Sequence, residues 1–201
     1  MKHELKKLSQ QTNNKYLNIF LAEYEVDGGI KNYQICSRKK IENLQLHTPD
    51  EVKSDGVRIL PYYYDENGKI KICFIKEFRY AVNSYCYGLP AGLIDDNENP
   101  FQSAERELNE EIGAKVVKME LTDKASYCSV GLGDESIISF EAEVTLTGKQ
   151  NLDFSEDIEL VIVDFDDILN FVDTHNLGVQ SRLQAKCFYY KKMYEILKGK
   201  L

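Results

Sequence analysis

The segment NPFQSAERELNEEIG, Asn99 to Gly113, constrains the chain more than any other. Asn99 is a natural N-cap, Pro100 suits the first helical position, and Gln102 completes a capping-box-like pair with Asn99. Gly113 is a C-terminal stop. On a helical wheel of about 100° per residue, Phe101, Ala104, Leu108 and Ile112 form one apolar stripe. Glu107 and Glu111, four residues apart, lie on a flank of that stripe, while Glu110 and Arg106 point further round. Two glutamates at i and i+4 repel by roughly 0.2–0.5 kcal/mol even in water. Partial burial beside the stripe would raise that cost, and Glu110 and Glu111 sit at the negative end of the helix dipole. A solvated acidic face accounts for Glu105. It accounts poorly for Glu107 and Glu111, which border the core. A divalent cation would compensate them, and carboxylate oxygens suit Mg²⁺ or Mn²⁺. Arg106 can pair with Glu110 at i+4 and orient it.

Around this helix the chain alternates strand and turn signals. YLNIFLAEYEV, the turn DGG and NYQICSR predict a hairpin over 16–38. The polar stretch KKIENLQLHTPDEVKSDG then reads as a linker, so residues 1–50 form a β-hairpin appendage with its linker and 51–201 the main domain. VRILPYYY and KIKICFIKEFR flank DENG, a second hairpin. Further strand candidates are VVKMEL, SIISFEAEV and ELVIVDF, and FDDILNFVDTHN and SRLQAKCFYYKKMYEILKGK predict two closing helices. The fold class expected is α/β (α+β), with a mixed sheet covered by helices on both faces.

Composition excludes several functions. The 201 residues carry a formal net charge of −8, which argues against a nucleic-acid partner. The same acidity is compatible with a phosphate-bearing ligand, because a divalent cation can sit between carboxylates and phosphates. No apolar run approaches a membrane span, and MKHELKKLSQQ lacks a signal-peptide core, so a cytoplasmic location without membrane contact is expected. The five cysteines show no CxxC spacing and read as reduced thiols, and the three histidines form no cluster in sequence.

Gly92, Glu98 and the run Arg106-Glu107-Leu108-Asn109-Glu110-Glu111-Ile112-Gly113 resemble the Nudix box, G-x5-E-x7-R-E-U-x-E-E-x-G-U, with Ala114 replacing a larger aliphatic residue at the last position. The resemblance implies an α/β/α sandwich and a hydrolase that cleaves a nucleoside diphosphate linked to another moiety, using Mg²⁺ or Mn²⁺. By position, Glu107 and Glu111 would be the main metal ligands. Glu110 would be a further ligand or a ligand-orienting carboxylate, and Glu98 and Arg106 would tie loop to helix.

The flanks resemble the ADP-ribose pyrophosphatase branch. In LPAGLID the Ala91 carbonyl would be a metal ligand. In KEFRYAVNSY, Arg79 would contact substrate or support the site. In YCSVGLGDES, Glu135 would be the general base or an extra metal ligand, and Gly131 and Leu132 would contact the substrate. Tyr33 would clamp a base in a chain without tryptophan. The hairpin would mediate a homodimer. The implied reaction takes ADP-ribose to AMP and ribose 5-phosphate. Val130 replaces the expected proline, and Gly88 stands where a glutamate precedes LPAG; both departures leave open another nucleoside diphosphate derivative. Arg79 as a plain surface cation, Glu135 as a solvated loop acid and Tyr33 as an ordinary strand tyrosine stand as alternatives. So does a non-catalytic nucleotide-sugar sensor on the same fold.

Overall fold

A computed structural model describes residues 3–154 and 156–199. The strands are β1 (His3–Gln10), β2 (Asn18–Val26), β3 (Gly29–Ser37), β4 (Gly56–Tyr64), β5 (Ile70–Arg79), β6 (Ser84–Gly88), β7 (Ala91–Leu93), β8 (Ala114–Tyr127), β9 (Ser136–Leu146) and β10 (Ile158–Asp164). The helices are α1 (Pro100–Ile112), α2 (Ile168–Thr174) and α3 (Val179–Leu197). By backbone contacts the chain divides into two compact units. One comprises Met1–Asp55 with Ala125–Ile137, the other Gly56–Lys124 with Ile138–Leu201. Among the described residues no helix is long and apolar enough to cross a membrane.

The first unit holds a three-stranded antiparallel sheet in the order β1-β2-β3. The expected hairpin is β2–β3, with Phe20 and Ala22 fully buried. β1 escapes the hydrophobic pattern because cross-strand charge helps hold it. Lys6 pairs with Glu25 at 2.8 Å and Lys7 with Glu23 at 3.3 Å, opposite-charge pairs of the kind that favour adjacent strands. The stretch read as a linker is folded. It forms two single 3-10 turns, Ile41–Asn43 and Gln45–His47, with Leu44 and Gln45 buried. The Gln45 amide donates to the carbonyls of Thr48 at 2.6 Å and Glu51 at 2.8 Å.

The second unit is built on a mixed sheet in the order β10-β5-β4-β9-β8, with β6 added to β5 and β7 to β4. Alternation along the strands loads both faces. Ile70, Ile72 and Phe74 of β5 pack with Phe171 of α2 and Ala185 and Phe188 of α3. Cys73 and Ile75, one residue out of phase, pack with Ala104, Leu108 and Ile112 of α1. Helices therefore cover both faces, as expected. The turn between β4 and β5 is set by Asp65, whose side chain accepts from the amides of Asn67 and Lys69, both at 2.9 Å.

Helix α1 begins and ends as its sequence dictates. The Asn99 side chain accepts from the amides of Phe101 and Gln102, and the Asn99 amide donates to Gln102 Oε1 at 2.9 Å. Gly113 caps the far end at φ +60°. One expectation fails: Phe101 is half-exposed, its ring resting on Phe140 with centroids 4.8 Å apart. Ser103 takes the buried place instead, because its hydroxyl reaches back to Glu98 at 2.6 Å. At the C-terminal end, the Asn151 amide donates to Glu110 O at 2.9 Å and the Gln150 side chain to Glu111 O. These donors satisfy carbonyls the helix leaves unpaired.

A Cβ at Gly113 would stand 2.6–2.8 Å from the Lys149 backbone, in a conformation L-residues avoid. Gly113→Ala is therefore expected to destabilise the protein by about 1–3 kcal/mol, read as a fall of several degrees in the melting temperature. An unchanged melting curve would contradict this packing.

Candidate active site

The site is assembled on one face of α1 where it meets β7. Glu107 and Glu111 are both buried, at 7% and 4% exposure. Gly92 of β7 makes room for the first. A Cβ on Gly92 would lie 1.8 Å from Glu107 Oε1, so no larger residue fits without moving that carboxylate. β7 also holds the second, because the Ala91 amide donates to Glu111 Oε2 at 3.2 Å.

Arg106 is the hub of the surrounding charge. Its Nε donates to both oxygens of Glu98, at 3.1 and 3.2 Å. Nη1 donates to Glu107 at 2.7 Å and to Glu110 at 3.1 Å. Nη2 donates to the Leu93 carbonyl at 3.0 Å. One planar fork thus ties the loop before α1, strand β7 and two helix glutamates into one rigid piece. Burial weakens the Arg106 charge, but Glu107, Glu110 and Glu98 more than offset this and hold its pKa above the ordinary value. The Ser103 hydroxyl and Arg106 keep Glu98 below the usual carboxylate range.

The two buried glutamates shift the same way, to different extents. Burial raises the pKa of Glu107, although Arg106 pulls against it. Burial pushes Glu111 up to about 9, and the neighbouring Glu107 adds to the shift. Two carboxylates that the sequence reading passed over contribute as well. Glu77 of β5 and Glu156 of the loop before β10 both raise Glu111, and Glu156 also raises Glu107. Nothing in the local pattern marks Glu156, since only the fold sets its loop near α1. Among the described residues no group of three His, Cys, Asp or Glu side chains is arranged as a metal cage. The donor set nevertheless fits a hard divalent cation. Two desolvated carboxylates supply oxygen and negative charge, and such a cation retains water and takes substrate oxygens for the rest of its shell.

The other sequence candidates are placed as follows. Arg79 ends β5, pairs with Glu77 at 2.7 Å and is more than half exposed. With Glu77, Phe78, Tyr80, Glu156 and Asp157 it lines a cavity of about 240 Å³. Tyr33, Gly131, Leu132 and Glu135 all belong to the first unit. There the Tyr33 hydroxyl donates to Gly131 O at 2.8 Å, the Cys36 amide to Leu132 O at 2.9 Å, and Arg38 to Glu135 at 3.0 Å. Tyr33 and Leu132 line an apolar cavity of about 280 Å³ with Tyr24, Ile35, Tyr127 and Val130. Gly88 lies in β6, where an added Cβ would make ordinary van der Waals contact with the Ile75 and Ser181 side chains at 3.9 Å.

The raised pKa of Glu111 makes stability depend on pH. The metal-free folded state keeps a proton that the unfolded chain gives up near 4.5. This contribution is fully present below about pH 4.5 and is lost progressively as pH rises to about 9, at about 1.4 kcal/mol per pH unit for one proton. In chelator, Glu111→Gln is expected to flatten the fall in unfolding free energy across this window. A parallel pH profile in the variant would contradict it.

Comparison with known proteins agrees with this geometry. The NUDIX domain model matches residues 55–181. The chain is 33% identical over 146 residues to a putative nudix hydrolase 2 of Caenorhabditis elegans, covering 68% of this chain and 65% of that protein. It is 32% identical over 131 residues to an ADP-ribose pyrophosphatase of Bacillus subtilis, covering 64% of this chain and 69% of that one. A solved ADP compounds hydrolase shares the fold, with TM-score 0.74 over 100% of this chain and 98% of its own at 14% identity. With the family model spanning most of the chain and the buried glutamates on α1 set against Gly92, this protein belongs to the Nudix family.

Proposed function

We propose that the protein hydrolyses the pyrophosphate bond of a nucleoside diphosphate sugar in the cytoplasm, with ADP-ribose the first candidate and AMP and ribose 5-phosphate the products. The observation that carries this reading is the pair of desolvated glutamates, Glu107 and Glu111, buried side by side on α1 with one arginine among them. The likeness to an ADP-ribose pyrophosphatase supports the choice of substrate.

In this reading Glu107, Glu111 and the Ala91 carbonyl hold Mg²⁺ or Mn²⁺. The ion supplies charge neutralisation for the pyrophosphate and acidifies a water when bound. Glu98 and Arg106 keep the carboxylates in register, and Glu110 is oriented by Arg106. Arg79 is the cation available to a substrate phosphate. The apolar cavity beside Tyr33 accepts a flat base by stacking. Gly131 and Leu132 present the loop that borders it. The proton acceptor is one of two loop carboxylates, Glu135 or Glu156. Glu135 is held by Arg38, whereas Glu156 raises the pKa of both buried glutamates. Self-association through the β2–β3 hairpin belongs to the same reading.

A panel of nucleotide sugars with Mg²⁺ tests it, and a nucleoside monophosphate is the expected product. Glu111→Gln is expected to lower kcat by about 10²–10⁴-fold with the fold intact. Of Glu135→Gln and Glu156→Gln, the variant lacking the base should lose the alkaline-activated limb of its pH–rate profile. Metal binding without turnover of any member would leave a sensor as the better reading.

A further inference from the structure

Helix α3 carries large apolar side chains on its outer as well as its inner side. Its inner face buries Ser181, Ala185, Phe188 and Lys192. Its outer face carries Val179, Leu183, Tyr190, Tyr194 and Leu197, between 56% and 79% exposed, with exposed Cys187 among them. The outer residues recur at intervals of four, four, three, four and three. That spacing keeps all six on one stripe along 19 residues, about 28 Å of helix. From Leu183 onward it is the spacing of a helix–helix seam. A continuous apolar stripe of this kind on a protein surface marks an interaction site.

We infer that this stripe is a self-association surface on which α3 packs antiparallel against α3 of a second copy. The argument is self-complementarity. The N-terminal half of the stripe holds the smaller side chains, Val179, Leu183 and Cys187. The C-terminal half holds Tyr190, Tyr194 and Leu197. An antiparallel pair sets Leu183 opposite the second copy's Tyr194 and Cys187 opposite its Tyr190, so that small meets large in each layer. Both layers occur twice, as a two-fold interface requires. A parallel pair would stack tyrosine on tyrosine and leave the cysteine layer underfilled.

Charge does not oppose the pairing. Three cations beside the stripe have carboxylates in their own chain, and Lys198 stands over the Tyr194 ring at 5.5 Å from its centroid. Lys186 and Arg182 meet Asp173 at 2.7 and 3.7 Å, and Lys191 meets Glu141 at 2.7 Å. The cations flanking the stripe are thus already engaged within their own chain. A single helix pair of this length offers less than the roughly 800 Å² per partner of a standard stable interface. Association should accordingly be concentration-dependent. It is independent of the catalytic reading and of any contact through the hairpin.

Cys187 provides the test, since it is the one cysteine exposed among the described residues. At high protein concentration a short bis-maleimide is expected to give a covalent dimer joined Cys187 to Cys187, mapped by peptide mass spectrometry. Leu183→Glu, which buries an unpaired charge only in the dimer, should cut the cross-linked fraction about tenfold or more while leaving circular dichroism and melting temperature unchanged. In a Cys187→Ser background, a mixture of Leu183→Cys and Tyr194→Cys proteins should cross-link to each other more than either does to itself. Absence of the Cys187 product would overturn the inference, as would its persistence in Leu183→Glu or preferential self-cross-linking of the single-cysteine proteins.

Discussion

Everything at the candidate active site depends on two carboxylates kept out of water beside each other. Removing an ionised carboxylate from water costs several kcal/mol, and a second one nearby adds repulsion. Glu107 and Glu111 accept both costs on one turn of helix. They do so because the wall opposite is backbone. Gly92 has no side chain to fill the space that Glu107 occupies, and the Ala91 amide points at Glu111. Strand β7 is only three residues long. Its pairing with β4 and its contact with α1 nevertheless decide where both charges stand.

The rest of the second unit can be understood as support for that arrangement. Ala104, Leu108 and Ile112 anchor α1 on the sheet through the same face that carries the glutamates to its edge. Arg106 compensates part of the negative charge and links it to Glu98, so the helix, the loop before it and β7 move as one body. The C-terminal end of α1 is closed by donors from residues 147–151 rather than by a basic side chain. Only part of the charge is thus neutralised from within. The high pKa of Glu111 expresses what remains, and a hard cation is the species whose binding would remove it.

Much of this was legible in the sequence because it is local. Caps, the i to i+4 placement of Glu107 and Glu111, and the hairpin turns at DGG and DENG all depend on residues within a few positions of each other. What was missed depends on distance. β1 is held partly by charges on β2, so its polar composition hid it. Phe101 lies on the stripe of an ideal wheel, yet in the first turn its ring only rests on Phe140 and stays half-exposed, while Ser103 is buried against Glu98. Glu77 and Glu156 are far from α1 in sequence, and only the order of strands brings their charge to bear on Glu111. The 3-10 turns at 41–47 look like linker because their buried contacts are few and include a glutamine satisfied by backbone.

The central claim is that the two buried glutamates of α1 exist to hold a divalent cation. Its most direct measurement is a Mn²⁺ titration followed by electron paramagnetic resonance, on the wild-type protein and on the Glu107→Gln, Glu111→Gln double variant, with circular dichroism to establish that both are folded. The account predicts that free Mn²⁺ signal is lost on addition of wild-type protein and retained with the folded double variant. Equal Mn²⁺ binding by the two proteins would contradict it.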